Sequence, residues 1–217
     1  MGPTRKKRAE AGPPGTMRIR PTIIVPAAGR GSRFGGPLHK LEQPFDGSTV
    51  LGATLRHAIE SQLPVVVVTT AALAPLVAGL VATRDILVLS AGEAARGMGY
   101  SIAAGVAERS GAPGWIVLPA DMPLVRPDTL LAVATALQQH AVVYAQYRGR
   151  RGHPVAFAAE LYSELILLDA DDGARRVVAR YPSHGLEVDD PGVLLDIDTP
   201  SDLDLLKAST EAQPAGG

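Results

Sequence analysis

The chain has 217 residues, of which 46% are apolar and 20% charged, and its formal net charge is −1. These values predict one globular domain with a substantial core and exclude a largely disordered chain. Aromatic residues make up only 4% and the net charge is close to zero, so the composition disfavours nucleic-acid binding. Cysteine is absent, which excludes disulfides, thiol catalysis and cysteine-ligated metal sites.

The chain carries no pattern of export or membrane insertion. The basic run Arg5–Arg8 is not followed by the apolar segment of a secretory signal. No apolar run approaches the roughly 20 residues of a membrane span. We therefore expect a cytoplasmic protein. Residues 1–20 and 209–217 are expected to be disordered tails around one domain at 21–208, and Met17 is an alternative start.

Short apolar runs alternate with segments of helical periodicity along the domain. The predicted strands are Thr22–Val25, Pro64–Thr69, Asp85–Leu89, Trp115–Pro119, Ala141–Tyr147, His153–Phe157, Leu186–Val188 and Leu194–Ile197. The predicted helices are Thr49–Gln62, Ala72–Ala82, Met98–Ser110, Pro127–Gln139, Ala158–Leu168, Ala174–Arg180 and Pro200–Lys207, the last capped by Thr199. Continuous apolar strands between helices predict a doubly wound α/β fold, a three-layer Rossmann-like sandwich with a mostly parallel sheet. Ligands of such sheets bind beyond the carboxyl ends of the strands.

A glycine-rich loop, Ala27–Gly36, follows the first strand and leads to Lys40. We call it the glycine loop. Glycines let backbone amides approach phosphates, and Arg30, Arg33 and Lys40 can neutralise phosphate charge. The loop is not a dinucleotide fingerprint, because Phe34 occupies the place of the third glycine. It is not a P-loop either, because Leu41 follows Lys40. The sequence therefore predicts a polyphosphate-binding loop of another type and disfavours a nicotinamide oxidoreductase; an ordinary surface turn is the alternative.

Two carboxylates are candidate ligands for Mg²⁺. Asp121 follows a buried strand at the same sheet edge as the glycine loop, where the alternative is a turn former. Asp198 is expected to share one strand face with Asp196, and its alternative role is a cap or turn. Asp202 is interpreted as a residue that stabilises the start of the last helix. A cationic glycine loop with two carboxylates suits metal-dependent phosphoryl or nucleotidyl transfer.

Three further segments lie at the same predicted edge. Gly97, Met98 and Ser101 begin a helix and could approach a nucleotide, although an ordinary helix start is equally consistent. The basic hairpin-like loop that ends at His153 could hold an anionic acceptor. A substrate role for the segment Asp171–Arg176 has little support from composition.

The other histidines have no metal-binding spacing and are interpreted as structural or solvated: His39, His57, His140 and His184.

Six ordered blocks resemble the nucleotidyltransferase family of molybdenum cofactor maturation: PAAGRGSRFGG…K, GMGYSIAAGV, LPADMPLV, RGHPVAF, DDGARRVV and DIDTPSDL. The GMGYS and GHP segments look like the cytidylyltransferase branch. The resemblance implies a fold of the nucleotide-diphospho-sugar transferase type. It also implies Mg²⁺-dependent transfer of CMP from CTP to the terminal phosphate of molybdopterin, with release of pyrophosphate. Pro26 departs from the family pattern, in which leucine is usual, and Pro37–His39 lengthens the approach to Lys40.

The resemblance also implies roles for particular residues. The CTP phosphates would be held by Ala27, Ala28, Gly29, Arg30, Gly31, Arg33 and Lys40. Gly97, Met98 and Ser101 would lie at the base and ribose. Asp121 and Asp198 would hold Mg²⁺, and Arg33, Lys40 and Asp121 would be catalytic. The acceptor would contact His153, Asp172, Gly173 and Arg175.

Two other functions stay open at this point. The same chemistry could act on a different phosphorylated acceptor, such as a sugar or polyol phosphate. Alternatively, the protein could bind a nucleotide without catalysis as a partner of a molybdoenzyme or its chaperone. Asp121 and Asp198 together with Arg33 favour the enzyme over the second alternative.

Overall fold

A seven-stranded sheet forms the middle layer of the computed structural model, which describes residues 19–29, 31, 34–35, 38–170 and 172–211. The strands of the chain are β1 (Thr22–Pro26), β2 (Pro44–Phe45), β3 (Ser48–Thr49), β4 (Val65–Thr70), β5 (Ile86–Leu89), β6 (Gly114–Val117), β7 (Val142–Tyr147), β8 (Arg150–Ala158) and β9 (Ser183–Glu187). The large sheet has the order β5-β4-β1-β6-β8-β7-β9, and β2 and β3 form a separate hairpin. Only β8 runs antiparallel to its neighbours in the large sheet. The predicted mostly parallel α/β fold is confirmed.

Helices cover both faces of the sheet. They are α1 (Val50–Glu60), α2 (Ala74–Val77), α3 (Ala91–Ala94), α4 (Met98–Glu108), α5 (Pro127–Ala136), α6 (Tyr162–Leu165), α7 (Arg175–Arg180) and α8 (Pro200–Glu211). Short 3-10 turns lie at Lys40–Glu42, Thr83–Asp85, Ala159–Leu161 and Pro191–Leu194. Among the described residues, no helix has both the length and the apolar character that a bilayer crossing needs.

Strand β1 divides the core in two because its side chains alternate between the faces of the sheet. Ile23 and Val25 pack into the cluster that contains α1 and α5 residues, such as Leu55 and Leu130. Ile24 packs into the opposite cluster, which contains α4, α6 and α7 residues. All three β1 side chains are completely buried. Because both faces of β1 are buried, its sequence is an uninterrupted apolar run.

Two predicted helices are much shorter in the structure. The helix expected at Ala72–Ala82 is only α2, because packing buries just Leu73 and Val77 and Gly79 weakens helix propensity beyond them. The helix expected at Ala158–Leu168 begins as a 3-10 turn and continues only as α6. Ile166 is 37% and Leu167 79% exposed, so these two residues add little packing that would support a longer helix.

The strand predicted at Leu194–Ile197 is wrong. The 3-10 turn Pro191–Leu194 occupies its start, and no strand follows before α8. The buried carboxylate of Asp190 accepts hydrogen bonds from the backbone N–H of Gly192 and Arg126 and from Thr129 Oγ1. These bonds fix a turn where the apolar pattern alone favoured a strand. The strand expected at Leu186–Val188 is instead β9, which begins at Ser183.

Several predictions fall outside the described residues. Arg30 and Arg33 of the glycine loop belong to this group, as do most of the two terminal segments predicted to be tails. The basic loop after β7 is described and forms a tight hairpin to β8, with positive φ at Arg148 (50°) and Gly149 (73°).

Candidate active site

Lys40 lies between two aspartates at the carboxyl edge of the sheet. Its Nζ atom is 2.6 Å from Oδ2 of Asp121 and 2.9 Å from Oδ1 of Asp198. The three side chains are largely shielded from solvent, with exposed fractions of 15%, 16% and 29%. One predicted phosphate-loop cation and both predicted carboxylates therefore meet at one point, where β1 and β6 end.

Two hydrogen bonds to backbone carbonyl groups fix the loop that carries Asp121. The N–H of Ile197 donates to the carbonyl oxygen of Asp121 over 3.0 Å. On the other side, the buried hydroxyl of Thr54 in α1 lies 3.0 Å from the carbonyl oxygen of Ala120. The loop that carries Asp121 is thus attached both to a helix and to the segment before α8.

Strand alternation was expected to position Asp198, but its segment is not a strand. The N–H groups of Asp198 and Thr199 donate to Oδ2 of Asp202 over 3.1 and 2.7 Å. In return, the N–H of Asp202 donates to the Thr199 hydroxyl over 3.3 Å. This reciprocal pair is a capping box. It confirms Thr199 as the cap and Asp202 as a residue that stabilises the helix start, and it fixes the backbone of Asp198.

The glycine loop is attached to the sheet on one side and to the core on the other. The N–H of Ala27 donates to the carbonyl oxygen of Val68 in β4 over 2.7 Å. Phe34 is buried, and its N–H donates to the carbonyl oxygen of Gly31 over 3.1 Å. Gly31 has a φ of +59°, which L side chains rarely adopt, so the turn favours glycine at this position.

A cavity of about 510 Å³ lies beside the loop. Every described residue that the sequence assigned to the nucleotide or the metal lines it: Ala27, Ala28, Gly29, Gly31, Lys40, Gly97, Met98, Ser101, Asp121 and Asp198. Gly97 precedes α4 with a φ of +97°, so a side chain would be strained there. The buried Ser101 donates back to the carbonyl oxygen of Gly97 over 3.4 Å.

A second cavity of about 880 Å³ adjoins the first at Lys40. It is lined by all four residues that the resemblance assigned to the acceptor: His153, Asp172, Gly173 and Arg175. One part of its wall is apolar and includes Ile102, Val155 and Phe157, while Arg151 and Asp196 add charge. The two cavities share Lys40, Met98, Pro119, Asp121 and Asp198. Two ligands could therefore meet at the Lys40–aspartate centre.

The charges at this centre shift the protonation of its neighbours. Burial acts to lower the pKa of Lys40, but the attraction of Asp121 and Asp198 outweighs it and raises the pKa above the usual value of 10.5. Burial and the negative charge of Asp121 raise the pKa of Asp196. His153 presents much of its surface to the cavity, yet the surrounding protein desolvates its charged form and lowers its pKa. Lys40 is thus an ammonium and His153 a neutral imidazole at neutral pH.

The carboxylates fit a hard divalent cation. Oδ1 of Asp121 is buried and has no hydrogen-bond partner among the described residues. Carboxylate oxygens are the ligands that Mg²⁺ prefers, and Mg²⁺ commonly takes one or two carboxylates and completes its shell with phosphates and water. No group of three His, Cys, Asp or Glu side chains is placed to hold a metal within the described ranges. A cation here would therefore depend on substrate oxygens.

Sequence reasoning did not place His39 at the site, but His39 lines the first cavity and caps the turn that begins at Lys40. Its Nε2 atom lies 2.8 Å from the carbonyl oxygen of Gly29, and its Nδ1 atom accepts from the N–H of Leu41 over 3.2 Å. The available signal was local: His39 directly precedes Lys40, and Glu42 follows three residues later, at the spacing of a capping box.

Comparison with known proteins agrees with this geometry. Residues 23–185 match the MobA-like NTP transferase domain. The purine catabolism protein PucB of Bacillus subtilis (strain 168) is 32% identical over 194 residues, which span 83% of this chain and 93% of PucB. The crystal structure of Rv0371c from Mycobacterium tuberculosis H37Rv superposes with a TM-score of 0.75 and 29% identity, over 87% of this chain and 98% of Rv0371c.

A second structure of Rv0371c, in complex with manganese, gives a TM-score of 0.73 and 28% identity, over 88% of this chain and 99% of that one. The matched segment, 23–185, includes the glycine loop, Lys40, Asp121 and the acceptor-side residues. The sequence match, the shared fold and the two cavities agree with one another. The chain belongs to the MobA-like NTP transferase family and is a nucleotidyltransferase.

Proposed function

We propose that the protein transfers CMP from CTP to the phosphate of molybdopterin, in a Mg²⁺-dependent reaction that releases pyrophosphate. The observation that carries the proposal is the junction of two cavities at Lys40, Asp121 and Asp198. One cavity is bordered by glycine-loop backbone and the other has mixed apolar and charged walls. This arrangement suits a triphosphate on one side and a phosphorylated heterocycle on the other.

The chemistry requires positioning more than a protein nucleophile. An oxygen of the acceptor phosphate forms a bond to the α-phosphorus of CTP while the bond to the bridging oxygen of pyrophosphate breaks. Pyrophosphate leaves with the electron pair of that bond. Lys40 and the glycine-loop amides would stabilise the charge that develops on the triphosphate. Arg33 would add to this stabilisation, as the resemblance implies.

Asp121 and Asp198 would hold the divalent cation, which when bound supplies charge neutralisation at the phosphates. The manganese complex of Rv0371c supports a divalent cation in this fold. On the acceptor side, neutral His153 would offer a hydrogen bond to the substrate, and Arg175 would attract its anionic group.

The preference for CTP and molybdopterin is supported by the GMGYS and GHP segments, which resemble the cytidylyltransferase branch. The test is pyrophosphate release with CTP, GTP, ATP and UTP, each with and without molybdenum cofactor and each with Mg²⁺ or excess chelator. We expect release only with CTP, cofactor and Mg²⁺ together. Release with another nucleotide or acceptor would contradict the substrate assignment and keep the mechanism. Nucleotide binding without any release would contradict catalysis and favour the role of a molybdoenzyme partner.

A further inference from the structure

The imidazole ring of His39 connects two parts of the first cavity. Nε2 lies 2.8 Å from the carbonyl oxygen of Gly29, at the start of the glycine loop. Nδ1 accepts from the N–H of Leu41 over 3.2 Å, inside the 3-10 turn that carries Lys40. The backbone N–H of His39 also donates to Oε2 of Glu42 over 3.0 Å, which anchors the residue itself.

These contacts define the proton on the ring. The N–H of Leu41 can only donate, so Nδ1 must carry the lone pair. The remaining hydrogen of the neutral ring is then on Nε2, where it donates to the carbonyl oxygen of Gly29. His39 is thus a neutral donor–acceptor bridge between the loop and the turn.

The ring of His39 lies directly against the glycine loop. A Cβ atom built on Gly31 would lie 2.8 Å from His39 Nε2 and 3.2 Å from its Cδ2 and Cε1 atoms. The ring therefore fills the space against the glycine loop, and it touches the loop at Gly29 and at Gly31. The residue that follows it in the chain is Lys40, which lines the same cavity.

We propose that His39 is a positioning residue that holds the glycine loop at a fixed distance from Lys40, so that both can bind one triphosphate. This inference rests on the proposed function for the identity of the ligand. Without the bond to Gly29, the loop would lose one of the contacts that hold it beside Lys40, and triphosphate binding would have to restore the geometry at a cost in affinity. His39 itself touches no reacting atom in this account.

A merely structural role is the competing explanation, because His39 also caps the 3-10 turn. Two amide variants separate the roles. In His39→Asn, the short side chain can accept from the N–H of Leu41, as Nδ1 does, but it cannot reach Gly29. In His39→Gln, the longer amide can donate to the Gly29 carbonyl oxygen, as Nε2 does. His39→Ala removes both contacts. His140→Asn is a matched control away from the site, before the amino end of β7, where His140 stacks on His184.

The measurements are the calorimetric Kd for CTP with Mg²⁺, the Kd for pyrophosphate, and the thermal midpoint of each variant. We expect His39→Asn and His39→Ala to raise the Kd for CTP about tenfold, as the loss of one well-placed hydrogen bond does. His39→Gln should recover most of this affinity, and His140→Asn should bind like the parent. His39→Asn should keep a thermal midpoint close to that of the parent. In turnover, KM for CTP should rise more than kcat falls.

Unchanged CTP binding in His39→Asn would overturn the inference, as would a Kd for His39→Gln equal to that of His39→Ala. The first result would leave the proposed function intact. A parent protein that binds none of the four nucleotides and no pyrophosphate would instead contradict the proposed function, and the inference with it.

Discussion

Lys40 balances only part of the charge at the centre of the site. One ammonium faces Asp121 and Asp198, and Asp196 adds a carboxylate close enough to feel the charge of all three. Lys40 contacts one oxygen of each aspartate that a divalent cation would use. In the proposed function, Lys40 and the cation would compete for the same negative charge until a triphosphate offered Lys40 another partner.

Replacing Lys40 with Met keeps the length of the side chain and removes its charge. We expect Lys40→Met to bind Mn²⁺ about tenfold more tightly than the parent in the absence of nucleotide, because the carboxylates lose their competing cation. CTP affinity should fall in the same variant. Electron paramagnetic resonance of free Mn²⁺ measures the first effect and calorimetry the second. Arg84→Met is the matched control, because Arg84 is an exposed cation in the turn Thr83–Asp85, before the amino end of β5. Mn²⁺ binding that is unchanged or weaker in Lys40→Met would contradict this competition.

In the proposed mechanism, Asp121 is the residue whose charge is most needed. Asp121→Asn is nearly isosteric, so we expect its thermal midpoint to stay near that of the parent. Its kcat should fall by about 10²–10³-fold, the loss typical of a group that stabilises transition-state charge. Steady-state pyrophosphate release measures this, with the exposed Asp204→Asn of α8 as control. A variant that turns over at the parent rate would refute the role of Asp121.

At this scale, sequence reasoning placed Asp121 and Lys40 correctly at one site, because each follows a recognisable local pattern. It did not place His39 beside the glycine loop, because that contact depends on Gly29, ten positions away, and no periodicity reports it. For Asp198 the residue was right and the reason was wrong. A capping box and the Ile197–Asp121 bond hold it, where strand alternation had been expected.

The elements that carry the site pack closely where glycine allows it. Helix α4 brings Met98 and Ser101 to the first cavity, and Gly105 lets the same helix approach the sheet. A Cβ atom on Gly105 would lie 2.6 Å from Ile24 Cγ2 in β1 and 3.0 Å from Val68 Cγ2 in β4. Neither neighbour can move freely, because Ile24 and Val68 are completely buried.

Gly105→Ala should therefore lower the free energy of unfolding by about 1–3 kcal/mol, although alanine is the better helix former. The matched control is Gly92→Ala in α3, where a new Cβ would meet nothing within 4 Å. There we expect no change or a gain of up to about 1 kcal/mol. Urea denaturation followed by circular dichroism measures both. Equal stabilities of the two variants would contradict the close approach of α4 to the sheet.

The same packing explains which elements sequence could predict. The strands β1, β4 and β6 lie inside the sheet, and their apolar runs are long enough to be recognised. The errors fall at the surface or in turns. Helix α2 ends where burial ends, and the segment after Pro191 follows the hydrogen bonds of the buried Asp190 instead of its own apolar pattern.

At the scale of the whole molecule, the site exists because separate parts of the chain meet. The first cavity depends on the parallel pairing of β1 with β6, and the second on β8, which runs antiparallel between β6 and β7. The sequence predicted the fold class and the sheet edge that holds the site. The pairing of β8 with β6 is a long-range contact that the alternation of strands and helices does not specify. The residues shared by the two cavities were therefore not predictable from periodicity.

Ligand binding at this junction should stabilise the whole fold. With CTP at about 100 times its Kd and Mg²⁺ present, linkage predicts a gain of about 2.7 kcal/mol. For a chain of this length, that gain corresponds to a rise in Tm of about 5–10 °C. A chelator should remove most of the shift, because the triphosphate would then lack its cation. Differential scanning calorimetry makes the comparison, and a shift that is unaffected by chelation would contradict metal-dependent binding.

The most direct test of the central claim follows the α-phosphate of the nucleotide. CTP labelled with ³²P at the α-position is incubated with the protein, Mg²⁺ and molybdopterin, and the pterin fraction is isolated. We expect the label to enter the pterin fraction with one pyrophosphate released per label, and both events to be about 10²–10³-fold slower with Asp121→Asn. Label that stays in CTP, or that appears only in free CMP, would contradict transfer between the two cavities.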